Sequence, residues 1–353
     1  MSLTLSPIRI TRKRSVHWSR PEAAGSAVQP STLRQTMVML HSVSAIIVTH
    51  NRAQDLARTL EHIRRDGLGI SELIVVDNAS SDGTRELVSN EFPGVKLVRL
   101  HKNTGVSFAR NVGAVNASGE FLLYLDDDCF VDFAAVWGAV NRMAGDDRLA
   151  AIGFNVVNLP LEDALTVYES RRFDQYKTGE WADAAEFSGG ACLLRRSVFL
   201  EVGGYNDRLF YLVEETDFSL RLLAKGYEIR RSGDVICLHY ASPSSRPSKR
   251  RVFYHYRNWV IVNAKYYPVP FFLLETLGLI AIGLGRSIRD RQFIPYVKGA
   301  LSGIATVLSF QVGRQPLTYH VFLQYYRRRL RKRRDMIARV MLLALGDPLT
   351  GRR

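Results

Sequence analysis

Short apolar runs alternate with amphipathic segments through the first part of the chain. Four runs of four or five residues, Ala45–Val48, Leu73–Val76, Lys96–Leu100 and Phe121–Leu125, have the length of buried β-strands. Between them, apolar residues recur every three or four positions, which predicts amphipathic helices, one of them over Val106–Asn116. Alternating strands and helices with short connections predict an α/β fold built on a largely parallel, doubly wound sheet.

The pattern becomes mixed after about Leu149. One apolar run covers Ala150–Phe154, a second covers Phe187–Leu194, and a long polar stretch separates them. An amphipathic helix is predicted near Glu215–Lys225, where Gly226 can end it. We expect these elements to complete the domain that the first four strands begin.

A Ser- and Pro-rich stretch over residues 242–248 marks a change in composition. Aromatic residues and Arg then dominate through Tyr267, and two nearly continuous apolar segments follow, Pro268–Gly285 and Ile294–Gly313. A last amphipathic helix carries the Arg-rich run 327–334. We therefore divide the chain into a leader over residues 1–41, an α/β domain over 42–245 and a helical region over 246–353.

Charge is distributed unevenly along the chain. The net charge is +14, with 6 Lys or Arg and 1 Asp or Glu in residues 1–40, 21 and 29 in residues 41–240, and 21 and 4 in residues 241–353. A strongly basic carboxyl-terminal region predicts contact with an anionic surface, either membrane headgroups or nucleic acid. The leader is basic but has no continuous apolar run, so we predict a disordered segment and not a secretion signal.

Missing motifs argue against several classes of protein. The three cysteines form no CxxC pair, which disfavours a disulfide framework or a zinc site and fits a reducing cytoplasm. No GxGxxG follows the first strand and no GxxxxGK[ST] occurs, which disfavours a dinucleotide-dependent dehydrogenase and a phosphate-loop NTPase. The chain also lacks an RRM-type aromatic signature, so we favour membrane over RNA as the partner of the basic tail.

Three adjacent carboxylates, Asp126–Asp128, directly follow the apolar run Phe121–Leu125. Like charges at this spacing repel one another, so they must be solvated or neutralised by a cation. One interpretation is a solvated acidic turn. The other is a site for a hard divalent metal, because ligands of open α/β sheets bind beyond the carboxyl ends of the strands. The same rule predicts that Thr49 and Asp77, which end the first two strands, lie in one crevice with Asp126.

Polar segments after the first three strands fit a nucleotide. The segments Thr49–Arg52 and Asp77–Thr84 could form a polar rim for a base and a ribose, although both also fit ordinary turn chemistry. Gly105 opens a helix whose amino end attracts anions, and Arg110 adds a cation on its second turn. The alternative for Arg110 is a surface position on an amphipathic helix.

A second acidic cluster lies at the start of the helix predicted near residue 215. It contains Glu214, Glu215 and Asp217, and acidic residues in a first helical turn are often only favourable to the helix dipole. Two carboxylate clusters in one domain also meet the needs of group transfer to a hydroxyl. One cluster can hold a metal ion that neutralises a leaving diphosphate, and the other can remove the proton of the acceptor.

Five segments in this order resemble the family 2 glycosyltransferases, which are inverting enzymes with the nucleotide-sugar-binding fold called GT-A. The segments lie between Ser44 and Tyr240 and read VTHNR, VVDNASSDGT, NTGVSFARNVG, YLDDD and GGYNDRLFYLVEETDFSLRLLAKGY. The resemblance implies a GT-A fold with a nucleotide-binding half over residues 42–128 and an acceptor half over 129–245. It also implies the roles of particular residues.

The nucleotide sugar would be bound by Thr49, Asn51, Arg52, Asp77, Asn103, Gly105, Arg110, Asp126 and Asp127. By the same resemblance, Mg²⁺ or Mn²⁺ would be held by Asp128, Asp126 and His239, which follows the last core strand; a structural His is the alternative there. The catalytic pair of the family is usually Glu-Asp and reads Glu214-Glu215 here. We expect Glu215 to be the base, with Glu214 and Asp217 in support.

The resemblance implies transfer of a sugar from a nucleoside diphosphate donor, a UDP- or dTDP-sugar, to a hydroxyl of a glycan or lipid-linked saccharide in cell-envelope or exopolysaccharide synthesis. The alternative is a non-catalytic nucleotide-sugar sensor or a partner of a polysaccharide assembly complex. We favour the enzyme because both acidic clusters are intact.

The two apolar segments after residue 267 predict membrane association. Each is near the minimum length of a span, but the loop between them carries Arg286, Arg289 and Arg291, which opposes the positive-inside rule if both cross. We therefore predict interfacial or re-entrant helices on the cytoplasmic face of the plasma membrane, with residues 250–353 on anionic headgroups and no nucleic acid partner. Two spans and a buried helical subdomain are the alternatives.

Overall fold

The structure is a computed structural model, which describes residues 41–240, 248–309 and 312–330. Within these residues nine strands form one sheet in the order β3-β2-β1-β4-β8-β6-β9-β5, with β7 paired to β9. The strands are β1 Val43–Thr49, β2 Glu72–Asp77, β3 Lys96–Arg99, β4 Phe121–Leu125, β5 Cys129–Val131, β6 Leu149–Leu159, β7 Trp181–Asp183, β8 Ala191–Arg195 and β9 Glu228–Tyr240. Residues 1–40 of the predicted leader and the second half of the Arg-rich run, 331–334, lie outside the described residues.

The first four strands are parallel, as the sequence predicts. β1 pairs with both β2 and β4, and β3 pairs with β2. The register sets Thr49 opposite Asp77 and Ile47 opposite Leu125, so the carboxyl ends of β1, β2 and β4 meet at one edge of the sheet. β8 joins β4 in the antiparallel direction, which brings the segment before Ala191 to the same edge.

Ten helices with defined ends accompany the sheet in the described residues. They are α1 Ala53–Asp66, α2 Thr84–Glu91, α3 Val106–Asn116, α4 Phe133–Ala144, α5 Leu161–Glu169, α6 Arg196–Glu201, α7 Glu214–Ala224, α8 Ser248–Tyr266, α9 Val269–Arg289 and α10 Phe293–Leu308. A further helical stretch covers residues 319–330. The polar stretch between β6 and β8 contains α5 and β7, which the sequence pattern did not predict.

Two cores lie on the two faces of the sheet. Ile46 and Leu122 point into one core, whereas their neighbours Ile47 and Leu123 point into the other. This alternation follows from the two-residue side-chain period of a strand that is buried on both faces. The mixed α/β architecture predicted from the sequence is therefore confirmed.

The carboxyl-terminal helices differ in burial, and both α8 and the helical stretch over residues 319–330, which buries Phe322 and Tyr325, contribute to the main core. Val262 and Tyr266 of α8 belong to the same core as Ile46 of β1, so the boundary predicted at residue 245 separates two parts that share a core. By contrast, α9 and α10 expose large apolar side chains, including Leu274 at 70% and Ile294 at 67%. Among the described helices, α9 alone is long and apolar enough to cross a membrane by length and composition.

Candidate functional site

A cavity of about 400 Å³ opens at the sheet edge where β1, β2 and β4 end. Parallel strands end together at this edge, so the polar residues that follow them become neighbours although the sequence separates them. Six of the residues predicted to bind a nucleotide sugar line the cavity: Thr49, Asn51, Arg52, Asn103, Gly105 and Asp127. The lining also includes Asn78, which belongs to the polar segment Asp77–Thr84. Sequence reasoning missed three further lining residues, Phe210, Tyr211 and Arg250.

Two of the three adjacent carboxylates, Asp127 and Asp128, are buried at the floor of the site, each only 3% exposed. Asp127 contacts residues at and just after the end of the first strand. Thr49 donates a hydrogen bond to its Oδ2 over 2.7 Å, and Nη1 of Arg52 lies 3.0 Å from its Oδ1. Burial raises the pKa of Asp127 to about 7, although the charge of Arg52 opposes the shift. Arg52 also forms an ion pair with Asp128, so it bridges the two carboxylates and is neutralised by them.

Three potential metal ligands converge beside this pair. One ligand atom each from Asp126, Asp128 and His239 lies within 4.8 Å of the other two. Oδ1 of Asp128 is buried, lies 3.2 Å from Nε2 of His239 and makes no standard hydrogen bond to the described residues. Carboxylate oxygens with one imidazole are suitable donors for Mg²⁺ or Mn²⁺, so these residues fit a divalent ion.

His239 is oriented by its second ring nitrogen. Its Nδ1 lies 3.0 Å from Oδ1 of Asn158, an arrangement that directs Nε2 towards Asp128. The close contact with the carboxylate of Asp128 raises the pKa of His239. Burial favours a higher pKa for Asp128, but the contact with His239 and the charge of Arg52 hold the pKa of Asp128 below its usual value.

Arg110 joins the two acidic clusters. Its Nη1 lies 3.0 Å from Oε1 of Glu214 and 3.4 Å from Oε1 of Glu215, and its Nη2 lies 3.5 Å from Oδ1 of Asp126. The side chain is only 7% exposed. Burial alone would lower the pKa of Arg110, but the nearby carboxylates hold that pKa above its usual value. The sequence predicted a cation for a diphosphate at this position; the structure adds that this cation is ion-paired with three carboxylates of the protein.

Two consecutive glycines make this cluster possible. A Cβ atom on Gly189 would lie 2.3 Å from Nη1 of Arg110, and one on Gly190 would lie 2.0 Å from Cγ of Asp126. The amide of Gly189 also donates a hydrogen bond to Oε1 of Glu215 over 3.1 Å. The space beside the two glycines is therefore filled by the side chains of Arg110, Glu215 and Asp126.

The three carboxylates of the second cluster differ in access. Glu215 has a side chain that is 22% exposed, whereas Glu214 is 3% exposed and Asp217 is fully buried. Asp217 lies beside four partners, its carboxylate accepting hydrogen bonds from Asn206, Tyr266, Lys265 and Arg221. These contacts tie α7 to α8 and account for the burial of Asp217. Of the three, Glu215 is the most accessible to solvent.

Asp77 lies behind the cavity wall and is fully buried. Its Oδ1 accepts a hydrogen bond from the amide of Ser80 over 2.7 Å, and its Oδ2 lies 3.7 Å from Nε of Arg99. The next residue, Asn78, reaches the cavity and connects to the third strand–helix junction: its Oδ1 accepts from the amide of Thr104 over 2.9 Å. The sequence signal for Asn78 was its place in the same polar loop as Asp77.

Arg250 reaches the cavity from α8, about two hundred residues along the chain from Thr49. Its guanidinium lies 4.7 Å from the ring centroid of Phe210, a distance typical of a cation–π contact. The sequence placed Arg250 in an aromatic and basic run suited to a membrane interface. Because Arg250 is far in sequence from the nucleotide-binding motifs, the sequence alone did not indicate that it lines the cavity.

Known proteins resemble the chain in this region. Residues 44–203 match the family model Glycosyl transferase family 2. The probable glycosyltransferase YdaM of Bacillus subtilis is 29% identical over 216 residues, which cover 56% of this chain and 50% of that protein. The uncharacterized glycosyltransferase YwdF of the same organism is 30% identical over 196 residues, which cover 54% of this chain and 70% of that protein. The chain thus spans half the length of YdaM.

A solved structure supports the fold. The crystal structure of GalNAc-T7 with UDP, GalNAc and Mn²⁺ superposes with a TM-score of 0.51 at 21% sequence identity. The superposition covers 65% of this chain and 48% of GalNAc-T7. At this identity the likeness concerns the fold alone.

Proposed function

Because this chain belongs to glycosyl transferase family 2, we propose that it is an inverting, metal-dependent enzyme that moves a sugar from a UDP- or dTDP-linked donor to a hydroxyl of a glycan or lipid-linked saccharide. One observation carries the proposal: Arg110 contacts Asp126 of the first acidic cluster and Glu214 and Glu215 of the second. The first acidic cluster, which we assign to the leaving group, and the second, which we assign to the acceptor, therefore both lie next to Arg110.

We place the donor nucleotide in the 400 Å³ cavity. Side-chain amides of Asn51, Asn78 and Asn103 supply donors and acceptors for a base and a ribose, and Phe210 gives an apolar surface to one wall. Arg250 brings a positive charge to the lining, where it attracts a diphosphate. Thr49 and Arg52 fix Asp127 at the floor, so that this carboxylate keeps its place when the donor enters.

Asp126, Asp128 and His239 would hold the divalent ion, Mg²⁺ or Mn²⁺. When bound, the ion supplies positive charge to the departing diphosphate. Asn158 keeps Nε2 of His239 directed at Asp128, and Gly190 leaves room for Asp126 to approach Arg110.

Glu215 acts as the general base. Its carboxylate takes the proton of the acceptor hydroxyl while the hydroxyl oxygen forms a bond to the anomeric carbon. The bond between that carbon and the diphosphate oxygen breaks, its electron pair leaves with the diphosphate, and the anomeric configuration inverts. Arg110 and the amide of Gly189 hold Glu215 in place before the reaction.

We further propose that the helical region holds the enzyme at the cytoplasmic face of the plasma membrane. The exposed leucines of α9, including Leu274 and Leu277, give an apolar surface, and Arg286 and Arg289 lie near its end. Apolar side chains flanked by Arg match the interface of an anionic leaflet, which also holds lipid-linked acceptors for cell-envelope or exopolysaccharide synthesis.

The test is transfer by the purified full chain. UDP- and dTDP-sugars are offered with membrane lipid extract as acceptor, with Mn²⁺, with Mg²⁺ or with chelator, and nucleoside diphosphate release is measured beside product formation. We expect metal-dependent release, and Glu215→Gln should lower turnover about 100-fold or more while the enzyme still binds UDP. Glu86→Gln is the matched control, because Glu86 is an exposed glutamate in the first turn of α2.

Two outcomes contradict the proposal. If the wild-type chain binds nucleotide sugars but releases no product, a sensor is the better interpretation. If Glu215→Gln transfers sugar as fast as Glu86→Gln does, Glu215 is not the base.

A further inference from the structure

The segment between residues 208 and 213 has an unusual backbone. Phe210, Leu212 and Val213 adopt φ values of 62°, 68° and 70°, a left-handed region that residues with side chains rarely occupy. The segment directly precedes Glu214 at the start of α7. A conformation that the residues themselves disfavour must be held by contacts from outside the segment.

Those contacts come mainly from α8. Nδ2 of Asn258 lies 2.8 Å from the carbonyl oxygens of Leu209, Tyr211 and Leu212, which share its two N–H donors. The neighbouring carbonyls also have partners: Arg257 donates to the carbonyl oxygen of Arg208 over 3.1 Å, and the amide of Val106 donates to that of Phe210 over 2.8 Å. Five consecutive carbonyls, from residue 208 to residue 212, thus accept hydrogen bonds from other elements.

Asn258 is well defined in this role. It is fully buried, and its Oδ1 accepts a hydrogen bond from Nη1 of Arg257 over 2.8 Å. This bond fixes which end of the amide is oxygen, so the nitrogen must face the carbonyls. If the amide of Asn258 were reversed, its oxygen would face three carbonyl oxygens and no hydrogen-bond donor.

Residues 208–213 connect the donor cavity with the second acidic cluster. Phe210 and Tyr211 line the cavity, and Glu214 and Glu215 follow three and four residues after Tyr211. The position of the segment therefore sets how the base lies relative to the donor. Resting on the function proposed above, we infer that Asn258 is a positioning residue of the active site, through which α8 fixes Glu215 against the bound nucleotide sugar.

The competing explanation is that Asn258 only stabilises the fold. Asn263 provides a matched control: it lies on the same helix, is equally buried, and donates to Thr276 of α9 over 3.4 Å and not to the segment before α7. Both Asn258→Ala and Asn263→Ala remove a buried amide from α8. Only the first removes donors from residues 209–212.

The experiment compares both variants as full-length protein in three measurements: hydrogen exchange of the amides over 209–216, affinity for UDP with Mn²⁺, and turnover at saturating donor. For Asn258→Ala we expect exchange in this segment to speed up about tenfold or more, UDP affinity to change only a few-fold, and turnover to fall about 100-fold. Asn263→Ala should lower the melting temperature but leave exchange in the segment and turnover close to wild type.

Asn258→Ser, which keeps one donor, should give intermediate exchange and turnover, and it replaces the alanine variant if that variant does not fold. Unchanged exchange over 209–216 in the variant at Asn258, or equal losses of turnover at both positions, overturns the inference. If the wild-type chain transfers no sugar, the proposed function fails, while the exchange of this segment still decides whether Asn258 holds it.

Discussion

Gly190→Ala is a charge-neutral change that should remove one candidate metal ligand. The added Cβ would lie 2.0 Å from Cγ of Asp126 and 2.1 Å from both of its carboxylate oxygens, so Asp126 has to rotate away. Gly190 is not among the glycines with positive φ, so its backbone accepts alanine. Only Asp128 and His239 of the three converging ligands would then remain in place.

The cost to stability should be small compared with the cost to metal binding. Overpacking by one methyl group typically costs about 1–3 kcal/mol, and the low end applies because the side chain of Asp126 is about one third exposed and can turn towards solvent. Disturbing a ligand or its support weakens metal binding about 10- to 100-fold. We therefore expect a loss of about 1 kcal/mol in the free energy of unfolding and at least a tenfold weaker affinity for Mn²⁺.

Two measurements separate these effects: urea unfolding, and calorimetric titration of Mn²⁺ in the presence of UDP. Gly138→Ala is the control, since a Cβ at Gly138 in α4 meets no atom within 4 Å. It should gain up to about 1 kcal/mol of stability and keep wild-type Mn²⁺ affinity. Wild-type Mn²⁺ affinity and transfer rate in Gly190→Ala would refute the assignment of Asp126 as a ligand.

Three further changes test other parts of the structure. Arg110→Met leaves three carboxylates without their shared cation and should cost about 3–5 kcal/mol in urea unfolding; a loss below about 1 kcal/mol would show that the cluster is not coupled. Burial lowers the pKa of His62 to about 4, so the folded state binds its proton less readily than the unfolded chain does. Wild type should therefore lose about 2 kcal/mol more stability than His62→Gln between pH 7 and pH 5, and equal slopes would contradict this. Replacing the exposed Leu274 and Leu277 of α9 by Glu should weaken sedimentation with anionic vesicles at least tenfold, whereas Leu68→Glu, exposed on the loop after α1, should not.

The sequence by itself determined the parallel half of the sheet and which residues were candidates for the site. Apolar runs bounded by short connections predicted the ends of β1 to β4 to within two residues, because burial on both faces demands continuous apolar strands. The rule that ligands bind beyond the carboxyl ends of strands then placed Thr49 and Asp126 at one edge. The family resemblance supplied the expected roles, and family membership is shown by the matched domain and relatives.

Only the tertiary structure decided how the residues of the site are arranged in space. Arg110 and Glu215 are 105 residues apart, and they meet because β8 inserts beside β4 in the antiparallel direction and carries Gly189 and Gly190 between them. Asn258 reaches the segment before α7 because α8 packs into the main core. Local periodicity reports which face of an element is buried, but contacts of this kind depend on where distant elements cross. No spacing within a single element encodes that crossing.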